Sequence, residues 1–180
     1  MIYRHKELKK LFGGDYQIKN ALKTKKIFKI DVGIYSDIEY PNNLEVITKK
    51  YPDAIFTMDS AFYFHNLTDV IPKKINLATK RNALRMQNDK ISQSFIKDDL
   101  FEIGKTTINI ENTEIPVYDK ERMLIELIRN KKHTAFDYYK EIINNYRKII
   151  NELDTYKLQE YIEKFPNDEY IYNTIQMEVF

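Results

Sequence analysis

Only four glycines occur in the 180 residues, and two of them are adjacent, at Gly13-Gly14. Glycine takes backbone angles through which a helix does not continue, so this pair breaks the N-terminal segment into two short pieces. Residues 4–12 read as a helix with Leu8, Leu11 and Phe12 on one face. A second helix is expected over 16–24, with Asp15 as its N-cap and with Ile18, Ala21 and Leu22 on its apolar side. Ile27–Ile30 then reads as a strand, and Val32–Tyr35 as its hairpin partner, with Gly33 easing the turn. Helix, turn, helix and hairpin in that order predict a winged helix-turn-helix head over 1–40. A winged head ordinarily has a further helix ahead of these two; here the helix near 43–50 is a candidate to cover it.

Charge is distributed to match. Up to Ser36 there are nine lysines and arginines against three acids, an excess of six, whereas the whole chain carries +2. A basic head on a mildly acidic remainder is the asymmetry of a nucleic-acid contact confined to one end. The exposed side of the second helix would present Tyr16, Gln17, Lys19, Asn20 and Lys23. Glutamine and asparagine can grip an adenine edge with two hydrogen bonds, and lysine can address guanine or phosphate. Lys25, Lys26 and Lys29 would flank the groove as phosphate contacts, which position the protein without reading sequence.

Tyr40–Asn43 has linker composition, and residues 41–180 are expected to form an α+β body. Strands are predicted at 74–79, 91–97, 106–110 and 114–118, with a helix at 59–67. From Lys120 the chain is helical, with apolar stripes through Met123–Ile128, Ile142–Leu153, Leu158–Phe165 and Ile171–Val179. The whole is therefore a small β-sheet packed by helices, with a helical C-terminal part.

The absence of cysteine excludes disulfides, thiolate zinc sites and cysteine nucleophiles, and fits a reducing compartment. No run approaches the ~20 apolar residues of a membrane span, and no signal peptide is read, so the expected location is cytoplasmic. His5, His65 and His133 lie far apart without metal-ligand spacing, and no phosphate-cradling glycine loop occurs, so no cofactor is expected. Ser60 and His65 are five apart on one helix and face different sides, which argues against a hydrolase pair. Asp119, Glu121 and Glu126 raise the alternative of a divalent-metal nuclease, but the lysine such sites place on a strand two residues past an acid is missing. They read more simply as a helix cap at Asp119 with local ion pairs at Glu121 and Arg122.

The stretch YPDAIFTMDSAFYFHNLTDVIPKKINLATK, residues 51–80, resembles the AbiEi family of antitoxins from type IV, abortive-infection toxin–antitoxin pairs. The residues that carry the resemblance are Tyr51, Pro52, Ser60, Ala61, His65, Leu67, Thr68 and Pro72. The segment VYDKERMLIELIR, residues 117–129, adds Tyr118, Glu121 and Arg122, and the hairpin ends in Gly33-Ile34-Tyr35 as family wings do. Asn66 stands where the family has glycine, and Met123 where it has threonine. The resemblance implies a non-enzymatic, DNA-binding autorepressor that opposes a nucleotidyltransferase-like toxin encoded beside it, with no stable complex required. The expected target is double-stranded DNA of its own promoter, carrying inverted repeats gripped by a homodimer. A stand-alone regulator without a toxin is the remaining alternative.

Overall fold

Alternation along three short strands organises the first part of the chain. In the computed structural model, which describes residues 1–180, β1 (Ile2–Arg4), β2 (Phe28–Asp31) and β3 (Ile34–Ser36) form a sheet in the order β1-β3-β2, antiparallel throughout. Tyr3 faces Tyr35 across β1 and β3, so both point to one side, while Ile2 and Ile34 point to the other. On the tyrosine side pack α1 (His5–Phe12) and α2 (Asp15–Lys23), through Leu8, Ile18 and Ala21, with Ile27 ahead of β2 in the same cluster. On the isoleucine side packs α3 (Asn43–Lys50), through Val46. The helix expected near 43–50 thus covers the second face of the small sheet. Burying both faces gives this little sheet a core that two helices and a hairpin alone would lack.

Three local expectations are corrected here. The first helix begins at His5 and not at residue 4, because Arg4 ends the strand β1; three residues are too few to show a period, and their partner β3 lies some thirty residues on. Gly14, not Asp15, is the N-cap of α2. Asp15 turns its carboxylate instead to Lys9 (2.8 Å) and His5 (3.1 Å), which ties α2 to α1. The second hairpin strand begins at Ile34, because Val32-Gly33 forms the turn, with Gly33 at φ 73°. A bulge at Ile30 lets Lys29 face Tyr35 while Asp31 faces Ile34.

The second sheet has five strands: β4 (Ile55–Phe56), β5 (Ile75–Lys80), β6 (Ile91–Ile96), β7 (Lys105–Ile110) and β8 (Thr113–Tyr118). Their order is β6-β5-β4-β8-β7; β5 and β6 are parallel, β4 and β5 antiparallel, β4 and β8 parallel. Glu111 and Asn112, both at positive φ, make the two-residue turn between β7 and β8. The helices are α4 (Met58–Phe64), α5 (Asp98–Phe101), α6 (Lys120–Arg129), α7 (Phe136–Lys148), α8 (Thr155–Ile162) and α9 (Asp168–Glu178). Every residue of α6 from Glu121 to Ile128 is buried, and α4, α8 and α9 pack around it. The protein is an α+β fold with nine α-helices and two sheets.

Contacts divide the chain into two compact units, residues 1–53 with 109–115, and residues 54–108 with 116–180. The expected head, 1–40, lies within the first, which continues through α3. The expected helix 59–67 is shorter than read: it ends at Phe64, and Asn66 at φ 57° reverses the chain. Short 3-10 turns at 131–133 and 150–152 divide the helical C-terminal part.

Candidate nucleic-acid interface

The α1–α2 corner is built by its two glycines. Gly13, at φ 89°, closes α1 by donating its N–H to Lys9 O, and Gly14 opens α2. Ile18 and Ala21 then anchor α2 in the core beside Leu8 and Tyr35. At 3.6 residues per turn this leaves the opposite side of α2 to solvent. Tyr16, Gln17, Lys19, Asn20 and Lys23 are all exposed there, Tyr16 by 80%. Gln17 and Asn20 are three apart and therefore neighbours on the surface, as are Lys19 and Lys23 at a spacing of four. Lys25, Lys26 and Lys29, between the end of α2 and the middle of β2, are exposed as well. All eight residues singled out in the sequence are thus exposed, five of them on α2 and three between its end and the middle of β2.

The electrostatics of this unit are selective. Lys9 pairs with Asp15, Lys49 with Glu7 (2.8 Å), and Lys50 with Asp31 (2.6 Å). These bonds from lysine hold the carboxyls of Asp15, Glu7 and Asp31 below their ordinary values. By contrast Lys19, Lys23, Lys25, Lys26 and Lys29 pair with no carboxylate of the unit. Glu7, Asp15, Asp31 and Asp37 are engaged by α1, α3 and the N-terminal amine, whereas the lysines of α2 and its C-terminal turn, like Lys6 and Lys10 of α1, make no ion pair in the unit.

One feature of the surface was not legible as a spacing. Lys25 sits at φ 53°, in the left-handed region. It occupies the position just past the cap residue Thr24, with Lys26 N–H donating to Ala21 O (2.9 Å) and Lys25 N–H to Leu22 O (3.2 Å). This is the double bond of a Schellman turn, whose left-handed position usually holds glycine. A non-glycine residue there is strained, and its side chain is a bare, exposed cation.

The motif residues of the second unit are held in packing and hydrogen bonds. Ser60 and Ala61 are buried on α4, and Ser60 Oγ accepts from Asn76 N–H (2.8 Å). The His65 ring, through Nε2, bonds the Tyr118 carbonyl (2.7 Å), which requires a proton on that nitrogen; burial lowers the His65 pKa below 6.5. Tyr118 Oη donates to Phe101 O (2.8 Å). Leu67 is buried, Pro72 half-buried, and Thr68 Oγ1 donates to Glu141 (2.7 Å). Tyr51 caps α3 in the first unit, with Pro52 exposed beside it.

Asp119 and Glu121 share Lys157, while Glu126 is held by two arginines. Asp119 caps α6 by accepting from Arg122 N–H (2.8 Å) and pairs with Lys157 (2.9 Å). Glu121 accepts from Asp154 N–H (2.9 Å), so its partners lie at α8 and not at Arg122. Glu126 is held by Arg122 (2.9 Å) and Arg129 (3.0 Å). No group of three histidine, aspartate or glutamate side chains is placed to hold a metal ion. No helix is long and apolar enough to cross a membrane.

No protein-family profile matches the chain, and no curated protein matches it significantly in sequence.

Proposed function

We propose that the first unit is a winged helix-turn-helix head that reads duplex DNA through α2, and that the protein is a transcriptional repressor of its own operon. The observation that carries this reading is the bare cationic and amide face of α2 and its C-terminal turn. Five lysines there have no carboxylate partner in their unit, and one occupies a backbone position that favours glycine. Positive charge left unpaired at one end of a chain that is otherwise acidic has a polyanion as its natural partner. On this reading Gln17 and Asn20 face base edges in the major groove, and Lys25, Lys26 and Lys29 meet phosphates beside the β2–β3 hairpin. Two copies would grip an inverted repeat, with half-sites about one helical turn, roughly 34–36 Å, apart.

The resemblance to the AbiEi family extends the proposal: the repressor is the antitoxin of a type IV pair and opposes a nucleotidyltransferase-like toxin. The residues that carry that resemblance serve packing in the second unit and are proposed as structural.

A mobility-shift titration on the DNA upstream of the gene tests the reading. The protein is expected to prefer that DNA over random duplex. Replacing Gln17 and Asn20 with alanine should erase the preference while leaving non-specific binding, and replacing Lys25 and Lys26 should weaken both together. Equal affinity for all duplexes by the unaltered protein would defeat the proposal. Co-expression with the adjacent nucleotidyltransferase, scored by growth, separates an antitoxin from a regulator without a toxin.

A further inference from the structure

A cleft of about 560 Å³ opens in the second unit, a volume typical of small-molecule sites. Its floor is the face of β5 and β6 that carries Asn76, Ser92 and Ser94; its walls are the start of α4, the end of α6 and the start of α7. A sheet face overlain by helices is ordinarily apolar. Here Asn76, Ser92 and Ser94 set an amide and two hydroxyls among Ala78 and Ile96, and neither serine hydroxyl bonds to another group of the unit.

Four further observations converge on this cleft. The Tyr138 hydroxyl is buried and makes no hydrogen bond of ordinary geometry. Burial and the nearby Asp59 charge raise its pKa. Asp59 in turn has no cation at ion-pair distance, and burial raises its carboxyl above the ordinary 3.8. Arg129, at the end of α6, lies over the Phe165 ring (4.9 Å) and holds Glu126 with Nη1 alone, so its Nε and Nη2 donate to no acceptor of the unit. Glu126 is already neutralised by Arg122 and Arg129 together. Finally, Met58 lines the cleft at φ 44°, a left-handed conformation unusual for a non-glycine side chain, next to Asp59. Strain of this kind gathers at ligand sites.

The cleft therefore offers one carboxylate beside the Tyr138 hydroxyl but without a cation, one partly free guanidinium, and neutral hydroxyls and amides along its floor. We propose that it binds a small zwitterion of the α-amino-acid class, with the ligand ammonium on Asp59 and its carboxylate on Arg129. A ligand ammonium supplies the cation that the desolvated carboxylate lacks, and it leaves the Tyr138 hydroxyl free to donate. The planar fork of Arg129 suits a carboxylate. Ser92, Ser94 and Asn76 would take the remaining polar atoms. This inference stands whether or not α2 reads DNA, because it rests on the second unit alone.

Binding to the full chain is tested with each proteinogenic L-α-amino acid in turn, by calorimetric titration and by the shift in unfolding temperature. At least one is expected to bind. Its α-hydroxy-acid analogue, which lacks the ammonium, and its primary-amine analogue, which lacks the carboxylate, should each bind about ten- to a hundredfold more weakly. Asp59→Asn should weaken the amino acid by the same factor and leave the α-hydroxy acid unchanged, a pattern that general loss of structure would not give. Ser94→Leu, which fills the floor and keeps both charges, should abolish binding while the thermal transition of the unliganded protein persists. Failure of every amino acid to bind overturns the proposal. So does an Asp59→Asn variant that retains full affinity.

Discussion

Arg122 is fully buried, and each of its nitrogens is occupied. Nε and Nη2 donate to Glu126 at 3.1 and 2.9 Å, and Nη1 to the carbonyls of Leu100 and Ile103 at 2.7 and 3.1 Å. The guanidinium lies 4.6 Å from the Tyr118 ring and 4.5 Å from that of Phe165. Gly104 exists for the same reason: a Cβ there would come within 2.4 Å of the Arg122 Cβ. Removing the cation leaves Glu126 with Arg129 as its one cation and strands two buried carbonyls, so Arg122→Ala should cost about 3–5 kcal/mol in urea unfolding. Arg122→Lys should recover little of it, because lysine lacks the planar fork. His65 gives a pH signature. Burial depresses its folded pKa, so between that value and 6.5 the unfolded chain holds a proton that the folded one refuses. The stability it contributes is complete above 6.5 and is lost as pH falls through the folded value. Denaturant midpoints near neutral pH and at about pH 5 should therefore differ more for the native chain than for His65→Gln, which keeps a neutral donor to Tyr118 O.

At the scale of elements, two helix ends use one device with different residues. Past α2 the left-handed position holds Lys25, and past α4 it holds Asn66, where Leu67 N–H donates to Phe62 O (2.9 Å) and Asn66 N–H to Tyr63 O (3.0 Å). Asparagine tolerates this backbone better than other side chains, which accounts for Asn66 at a position where glycine would serve. Lysine has no such excuse. Lys25→Gly should therefore stabilise the fold by about 0.5–1 kcal/mol while weakening DNA binding, a trade that thermal unfolding and mobility shift measure together. A merely solvated Lys25 would show the first effect without the second. The same elements show what a reader of the chain could see. Helices α1 to α3 were legible because Gly13-Gly14 and the Pro41-Asn42 turn punctuate clear apolar stripes. Strand β1 was not, since its order comes from a partner far along the chain. The cleft was less legible still: Asp59, Asn76, Ser92, Arg129 and Tyr138 come from five elements, and no spacing links them. Its one trace in the sequence is the unbroken polar run Ser92-Gln93-Ser94 in a strand that helices overlie.

Over the whole molecule, charge is segregated and not merely abundant. Residues 1–36 carry an excess of six positive charges, while the total is only +2, so the remainder is acidic overall. A chain that bound polyanions through its average charge would do so weakly. One that binds through a local cluster is governed by the phosphates that cluster meets, because each lysine–phosphate contact releases condensed counterions. Lys19, Lys23, Lys25, Lys26 and Lys29 are the lysines of α2 and its flank without a carboxylate in their unit. If each meets one phosphate, the logarithm of the association constant should fall with the logarithm of salt concentration with a slope of about −4 to −5 per bound copy. Lys25→Ala and Lys26→Ala should each flatten that slope by about one. Gln17→Ala with Asn20→Ala should leave it unchanged and lower only the ratio of specific to random binding, since amides release no counterions. Neutralising acids far from the cluster should alter affinity modestly at low salt and not at all beyond a Debye length of about 10 Å at 0.1 M salt. A slope near zero for the unaltered protein, or one that responds to the amides and not to the lysines, would mean that this end of the molecule does not face the phosphate backbone.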